Sequence, residues 1–449
     1  MSQVSQIKCM GHGAWSTGYR KMCQVSQMPQ NKAEEKAWEM GDNIYLCYQN
    51  FVDMPEKILH FSISFIITFL LMLKTGCQAD NRIIPGAERM DAYLPLISGK
   101  KVAIAANQTS MTGAVHLVDS LIASGINVVR IFSPEHGFRG DVDDGAMVED
   151  EIDQKTGIQI RSLYQESKKP DKTDLEDIDI VIFDIQDVGI RFYTFISTLH
   201  YIMEACAEND KELIVLDRPN PHGFYIDGPV LKPEFRSFVG MHEVPLVYGM
   251  TIGEYAMMIN GEGWLSGGLR CNLTVIPCKN YDHLSKYELP IKPSPNLPTM
   301  NGIYLYPSLA FFEGTVLSVG RGTDFPFEVF GHPELTGCSF TFIPVSKPGA
   351  DANPVLKDQT CKGVDLRYLR DLGHERPARI DLQWFMFAYT HFPDTGKFFN
   401  NYFEKLAGNS ILRKQIIMGL TEDEIRESWK GDMETFKVIR EKYLLYKDF

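Results

Sequence analysis

Positive charge is the first thing this chain is short of. Its 449 residues carry 45 Lys and Arg against 58 Asp and Glu, a net charge of −13. No basic stripe is set out for phosphates, which argues against a nucleic-acid partner. Cysteine is scarce as well: nine in all, and only five beyond Cys77, at Cys206, Cys271, Cys278, Cys338 and Cys361. An odd count at irregular spacing is not a disulfide framework, although Cys271 and Cys278 flank an expected strand and form a candidate pair. Neither Cys-x-x-Cys nor His-Glu-x-x-His occurs, so no zinc site is expected. The first strand is not followed by Gly-x-Gly-x-x-Gly but by Asn107-Gln108-Thr109-Ser110-Met111-Thr112-Gly113. That argues against a dinucleotide and against a P-loop nucleotide. No cofactor and no metal are expected.

What remains is ordinary globular material, 44% hydrophobic and 23% charged, long enough for two or three domains. The N-terminal region differs. Residues 61–73 are apolar except for Ser62, Ser64 and Thr68, and they lie between Lys57 and Lys74-Thr75-Gly76-Cys77. The run is too short for a comfortable membrane span and has the layout of a secretory signal. Gly76-Cys77 is similar to a bacterial lipoprotein cleavage site, with Cys77 the lipidated residue. Lys74 stands where an aliphatic residue is usual, and cleavage after Ala79 is the alternative. Residues 54–77 are therefore read as a signal and Met54 as the start. Residues 1–53 are read as an over-extended or disordered extension. The expected location is exported, in the periplasm or cell envelope.

Beyond residue 85 the chain alternates. A helix is expected over 85–96, ended by Pro95. Apolar runs at 101–106, 126–132, 158–163, 178–184 and 212–217 read as strands, and 273–276 as the last strand of this domain. Between them, helical spacing appears at 115–124, closed by Gly125, and at 194–209. Strand, helix, strand in sequence means parallel pairing with right-handed crossovers. The fold class is α/β, a doubly wound, mostly parallel sheet over 85–300, followed by a smaller α+β domain over 301–449.

In such sheets ligands bind outside the carboxyl ends of the strands. The first strand is followed by Asn107, Gln108 and Thr109. The second runs into Pro134, which stops it, and then Glu135, His136 and Arg139, with Gly137 and Gly140 to turn the chain. The fourth delivers Asp184, Gln186, Asp187, Gly189, Arg191 and Tyr193, and the fifth Asp217, Arg218, Pro219 and Asn220. Together they read as a polar rim of the kind that holds a sugar. A glutamate just past a buried strand end is open to partial desolvation, which would lift its pKa toward the range useful to a general acid. The active site is expected around Glu135.

Thr251-x-x-Glu254 and Thr421-x-x-Glu424 are capping boxes. The four prolines at 290, 293, 295 and 298 mark a linker or a loop wrapping the cleft. The glycine-rich run 319–324 suits close backbone approach to a ligand. Short strands are expected around 339–343, a helix near 411–419, and a final helix over 433–446 with Phe436, Ile439, Tyr443 and Leu444 inward.

Six stretches taken together resemble one family. They are residues 106–109 (Ala-Asn-Gln-Thr), 133–140 (Ser-Pro-Glu-His-Gly-Phe-Arg-Gly), 184–194 (Asp-Ile-Gln-Asp-Val-Gly-Ile-Arg-Phe-Tyr-Thr), 217–221 (Asp-Arg-Pro-Asn-Pro), 312–315 (Phe-Glu-Gly-Thr) and 318–323 (Ser-Val-Gly-Arg-Gly-Thr). The family is that of the NamZ-type exo-β-N-acetylmuramidases, and the resemblance covers roughly residues 85–449. It implies a Rossmann-like first domain, a smaller second domain and a cleft between them. It implies hydrolysis of β-1,4-linked N-acetylmuramic acid from the non-reducing end of peptidoglycan fragments, in cell-wall turnover or recycling. The partners implied are peptidoglycan-derived saccharides or muropeptides, with the membrane engaged only through a lipid anchor. The glutamate of its Pro-Glu-His-Gly motif, here Glu135, is the implied catalytic residue.

Glycoside cleavage needs an acid and usually a second carboxylate, for which Asp184, Asp187, Glu313 and Asp324 are the candidates. The substrate's own acetamido group, oriented by an aspartate, is the alternative nucleophile. The lactyl carboxylate of muramic acid suits a planar guanidinium, from Arg191, Arg321, Arg139 or Arg218. His136 is expected to orient Glu135 or a sugar hydroxyl. Two rival readings stand beside this one. In the first, Asp184, Asp187, His136 and Glu135 share a cation in a metal-dependent hydrolase. In the second, the chain is a muropeptide-binding lipoprotein without catalysis.

Overall fold

The structure, a computed structural model, describes residues 81–135, 137–138, 151–164, 168–371 and 378–449. The extension 1–53, the signal 54–77 with Cys77, and the candidates His136 and Arg139 lie outside the described residues.

Twelve strands are named in chain order: β1 (Lys101–Ala106), β2 (Met111–Thr112), β3 (Val115–His116), β4 (Asn127–Ser133), β5 (Glu151–Ile152), β6 (Gln159–Ser162), β7 (Ile180–Asp184), β8 (Glu212–Leu216), β9 (Asn272–Ile276), β10 (Val329–His332), β11 (Phe340–Phe342) and β12 (Cys361–Asp365). Seven of them form one sheet in the order β5-β6-β4-β1-β7-β8-β9. Every pairing is parallel except the edge strand β5 on β6. The chain works outward from β1 on one side, then returns to β7 and works outward on the other. The topological switch therefore falls at β1 and β7.

Period-two alternation sorts the side chains onto two faces. Val102, Ile104, Ala106, Ile180, Ile182, Ile214 and Leu216 pack with the helices Met90–Ile97 and Leu117–Ala123. Ala103, Ala105, Val181, Phe183, Leu213 and Val215 pack on the other face with the helices Phe195–Glu208 and Ile252–Gly261. That second core continues without a break into Phe311, Phe330, Phe385, Phe403 and Phe436. The smaller C-terminal part thus shares the core on that side of the sheet. It adds the antiparallel sheet β10-β12-β11, the helix Met300–Leu309 and a run of short helices.

Four local expectations are corrected. Pro95 lies inside the helix Met90–Ile97 and does not end it; Ser98 N–H on Leu94 O closes the helix further on. Residues 115–116 are β3, paired with β2, and the helix starts only at Leu117, where the His116 ring accepts from Val118 N–H. The last helix is Lys430–Glu441, and the chain beyond it is a tail whose Tyr446 hydroxyl reaches Asp217. Cys271 and Cys278 do not pair, and all five described cysteines are free thiols. The five residues of β9, at about 3.3 Å each, hold those two sulfurs beyond disulfide reach. Both expected capping boxes are formed.

Candidate active site

β4 brings the chain to Ser133, and Pro134 cannot extend the ladder. Gly137, at φ 75°, closes a turn in which its N–H donates to Pro134 O at 3.2 Å. The turn leaves Glu135 half-buried on the wall of a cavity of about 420 Å³. Its Oε2 accepts a hydrogen bond from the Thr194 hydroxyl at 3.1 Å.

The cavity lies between the sheet's rim and the C-terminal part. Tyr193, Thr194 and Phe195 line it from the first part, and Glu313, Ser318, Val319 and Arg321 from the C-terminal part. Arg321 donates through Nε at 2.8 Å and Nη2 at 2.6 Å, both to Oε1 of Glu313. Its guanidinium also sits 5.3 Å from the centre of the Phe327 ring. The proline-rich stretch wraps the cleft, with Ser294, Asn296 and Leu297 lining it. That stretch is held by the Tyr193 hydroxyl and the Gln108 amide, both donating to Pro293 O, at 2.8 and 3.2 Å. Aromatic rings with intervening carboxylates, a guanidinium and amides are what a saccharide's apolar faces and hydroxyls require.

Of the expected site residues, the cavity gathers Glu135, Tyr193, Glu313 and Arg321. The others are placed elsewhere. Asp184 is fully buried and gives both oxygens to Arg218, at 2.6 and 2.8 Å, so neither can serve a substrate. Asp187 is buried behind the rim, accepting from Gly189 N–H at 2.6 Å and from the Tyr248 hydroxyl. Burial pushes its carboxyl up to about 6, against the hydrogen bond from Tyr248. Asp217 accepts from Gly253 N–H at 2.7 Å, the Thr251 hydroxyl at 2.7 Å and the Tyr446 hydroxyl at 2.5 Å. Burial lifts it to about 7, opposed by the Tyr446 bond and helped by the charge of Glu254.

Arg191 is wholly buried and donates to four carbonyls, those of Pro229, Val244, Leu406 and Ala407. Burial alone pulls that guanidinium down to about 9. Asn107 turns back on Thr109, and Gln186 holds the carbonyls of Asp187 and Pro219. Asn220 donates to Met250 O and lies so close to Gly189 that a Cβ there would come within 2.3 Å of it. Asp324 is out in solvent, paired with Lys347 beside a neighbouring cleft.

Sequence reasoning missed Thr194, Tyr306, Tyr402, Asn296 and Asp351, all on the cavity wall. Thr194 closed one of the quoted motifs and had a signal; Asp351 sits on a short hairpin with none. Among the described residues, no group of three or more His, Cys, Asp or Glu is arranged to hold a metal ion. Of the residues in the shared-cation reading, Asp184 is held by Arg218 and Asp187 by the Tyr248 hydroxyl, while His136 lies outside the described residues.

Two family models cover the chain. One is described as the N-terminal part of the exo-β-N-acetylmuramidase NamZ, over residues 102–301, and the other as its C-terminal part, over residues 304–446. A peptidoglycan β-N-acetylmuramidase NamZ of Bacillus subtilis is 38% identical over 372 residues, 79% of this chain and 89% of that protein. Two crystal structures of DUF1343 family proteins from Bacteroides fragilis also match. One has a TM-score of 0.76 and 47% identity, covering 82% of this chain and 100% of that one. The second has a TM-score of 0.70 and 30% identity, covering 82% and 99%.

Proposed function

The chain belongs to the NamZ family of exo-β-N-acetylmuramidases, and from that premise we propose how its cavity cleaves the glycosidic bond. The enzyme is a glycoside hydrolase that releases terminal N-acetylmuramic acid from peptidoglycan fragments. Glu135 is the general acid. It gives its proton to the bridging oxygen as the bond to the anomeric carbon breaks, and the leaving sugar departs as an alcohol. The positive charge that develops at the anomeric carbon is met by the other carboxylates on the wall, Glu313 and Asp351.

Arg321 holds the lactyl carboxylate, the group that separates muramic acid from glucosamine. A planar fork can serve two carboxylates at once, and the Glu313 bonds fix its plane. Of the four arginines considered, Arg191 and Arg218 are spent inside the fold and Arg139 lies outside the described residues.

The observation that carries this reading is a half-buried glutamate on the wall of an aromatic and polar cavity that an ion-paired guanidinium also lines. The test is hydrolysis of a chromogenic β-N-acetylmuramide beside its glucosamine analogue. Glu135→Gln is expected to lower turnover by at least about a thousandfold with the fold intact, within the usual range for removing an acid–base group. Full activity in that variant removes Glu135 from the mechanism. Chelator is expected to leave the wild-type rate unchanged.

Export belongs to the same reading, because the substrate lies outside the cytoplasm. The apolar run 61–73 supports it as a signal and Gly76-Cys77 as the site of lipidation. Cys77→Ala is expected to move the protein from the membrane fraction to the soluble envelope fraction; unchanged fractionation removes the anchor.

A further inference from the structure

Thr194 immediately precedes the 14-residue helix Phe195–Glu208. Threonine at that position ordinarily turns its hydroxyl onto the second or third free N–H of the helix. Here it does not. Its φ and ψ are −72° and −6°, already helical, and its side chain makes no capping bond. The hydroxyl points instead at the catalytic candidate and donates to Oε2 of Glu135.

The hydroxyl's position is set independently of the glutamate. The backbone around it is held by the four-carbonyl grip of Arg191, by the Tyr193 hydroxyl on Pro293 O, and by Ser197 N–H on Thr194 O at 2.9 Å. Glu135, by contrast, stands in a glycine-closed turn on a side chain with three rotatable bonds. Among the described residues, Thr194 is the partner that holds its carboxyl group.

We propose that Thr194 is the positioning residue that assigns the transferable proton of Glu135 to one oxygen. An oxygen that accepts a hydrogen bond is disfavoured as the site of the acidic proton, because the donor already occupies it. With Thr194 donating to Oε2, the proton resides on Oε1, and that O–H is left to the bridging oxygen of the sugar. When the proton leaves, Oε1 becomes the anionic end, the C–O bond breaks and the leaving alcohol carries the proton away. Thr194 keeps donating to Oε2 throughout, so the carboxylate does not swing in the second half of the reaction, when a water bonds through its oxygen to the anomeric carbon and returns a proton to Oε1. This assignment rests on Glu135 being the acid.

The test compares Thr194→Val, Thr194→Ser, Glu135→Gln and the double variant Glu135→Gln/Thr194→Val on the chromogenic muramide. Hydrogen bonds to a charged group are worth enough to make the expected loss in kcat for Thr194→Val about ten- to hundredfold. KM is expected to stay within about twofold, because the hydroxyl's hydrogen bond is given to Glu135. Thr194→Ser, which keeps the donor, is expected to restore kcat to within about threefold. The melting temperature of Thr194→Val is expected to match wild type, since no capping bond is lost. In the Glu135→Gln background the valine substitution is expected to cost nothing further.

Equal losses in Val and Ser, or a normal kcat in Val, overturn the assignment. So does a further drop in the double variant, which would place Thr194 outside the Glu135 pathway. An active Glu135→Gln enzyme is a separate result: it removes the acid itself, whatever Thr194 does.

Discussion

Two clusters of carboxylates and arginines lie near the sheet's carboxyl edge, and they have opposite characters. One is the rim directly above β1, β7 and β8. There Asp184 holds Arg218, Asp217 takes the hydroxyls of Thr251 and Tyr446, and Ser110 and Thr109 tie the first loop to residues 184 and 186. Apart from the partly buried Tyr446, its members are at most a few per cent exposed. The other is the cavity reached from β4, where Glu135, Glu313 and Arg321 meet open space. The switch point between β1 and β7, where doubly wound sheets ordinarily take their ligand, is here filled by the protein's own polar groups. The ligand-sized space lies to the side, where the C-terminal part supplies the second wall. Chemistry-bearing residue types therefore do two jobs within one rim, and burial separates them.

The comparison can be broken by substitutions that exchange the two characters. The largest effect is expected from Arg218→Met. It leaves Asp184 buried without its counter-ion, which costs about 3–5 kcal/mol. Chemical denaturation should show that loss, while kcat per folded molecule stays within about twofold. A variant of normal stability with collapsed turnover would move the rim into the active site and undo the distinction.

A somewhat smaller effect is expected in the pH dependence of stability. Asp217 rises from the ordinary carboxylate range to about 7 on folding. A carboxyl raised by folding contributes stability that is fully present below its unfolded value, near 4, and is lost as pH climbs through the folded value. Between about pH 4 and pH 7, wild type should therefore lose on the order of a few kcal/mol relative to Asp217→Asn, whose side chain does not titrate. Asp187, raised to about 6, adds to the wild-type decline over the lower part of that window. Denaturation curves at several pH values check it; a constant gap between the two proteins would mean that Asp217 ionises as it does in the unfolded chain.

The doubly wound sheet was legible because burial on both faces writes continuous apolar runs, and β1, β7 and β8 follow those runs closely. The place of Glu135 just past a strand end was legible because Pro134 and Gly137 punctuate the strand around it. What could not be read was direction. Asp184 and Glu135 both follow strands, both stand near arginines, and only the packing of residues 218 and 194 tells which carboxylate is consumed internally. Arg191 shows the same limit. Nothing in its motif distinguishes a guanidinium aimed at a ligand from one buried on four carbonyls contributed by segments up to 216 residues away. The wall supplied by Asn296, Asp351 and Tyr402 comes from loops without periodicity, so its members meet only in three dimensions.

The smallest effect, and the one that sharpens the comparison most, is expected at Arg321. Its ion pair with Glu313 is partly solvated, with side chains 18% and 22% exposed, so breaking it should cost no more than about 1 kcal/mol of stability. Arg321→Ala should instead raise KM for the muramide by about tenfold, one charge-assisted hydrogen-bond pair's worth of binding. The glucosamine analogue, which lacks the lactyl carboxylate, should be hardly affected, so discrimination between the two narrows. Arg321→Lys keeps the charge but loses the fork, and should recover only part of the difference. Glu313→Gln should loosen the guanidinium's orientation and give a weaker version of the same change, with a fall in kcat besides, because it also removes a charge set against the anomeric carbon. If Arg321→Ala leaves discrimination where it was, the carboxylate is recognised by another group, and the Glu313–Arg321 pair joins Asp184–Arg218 as scaffold.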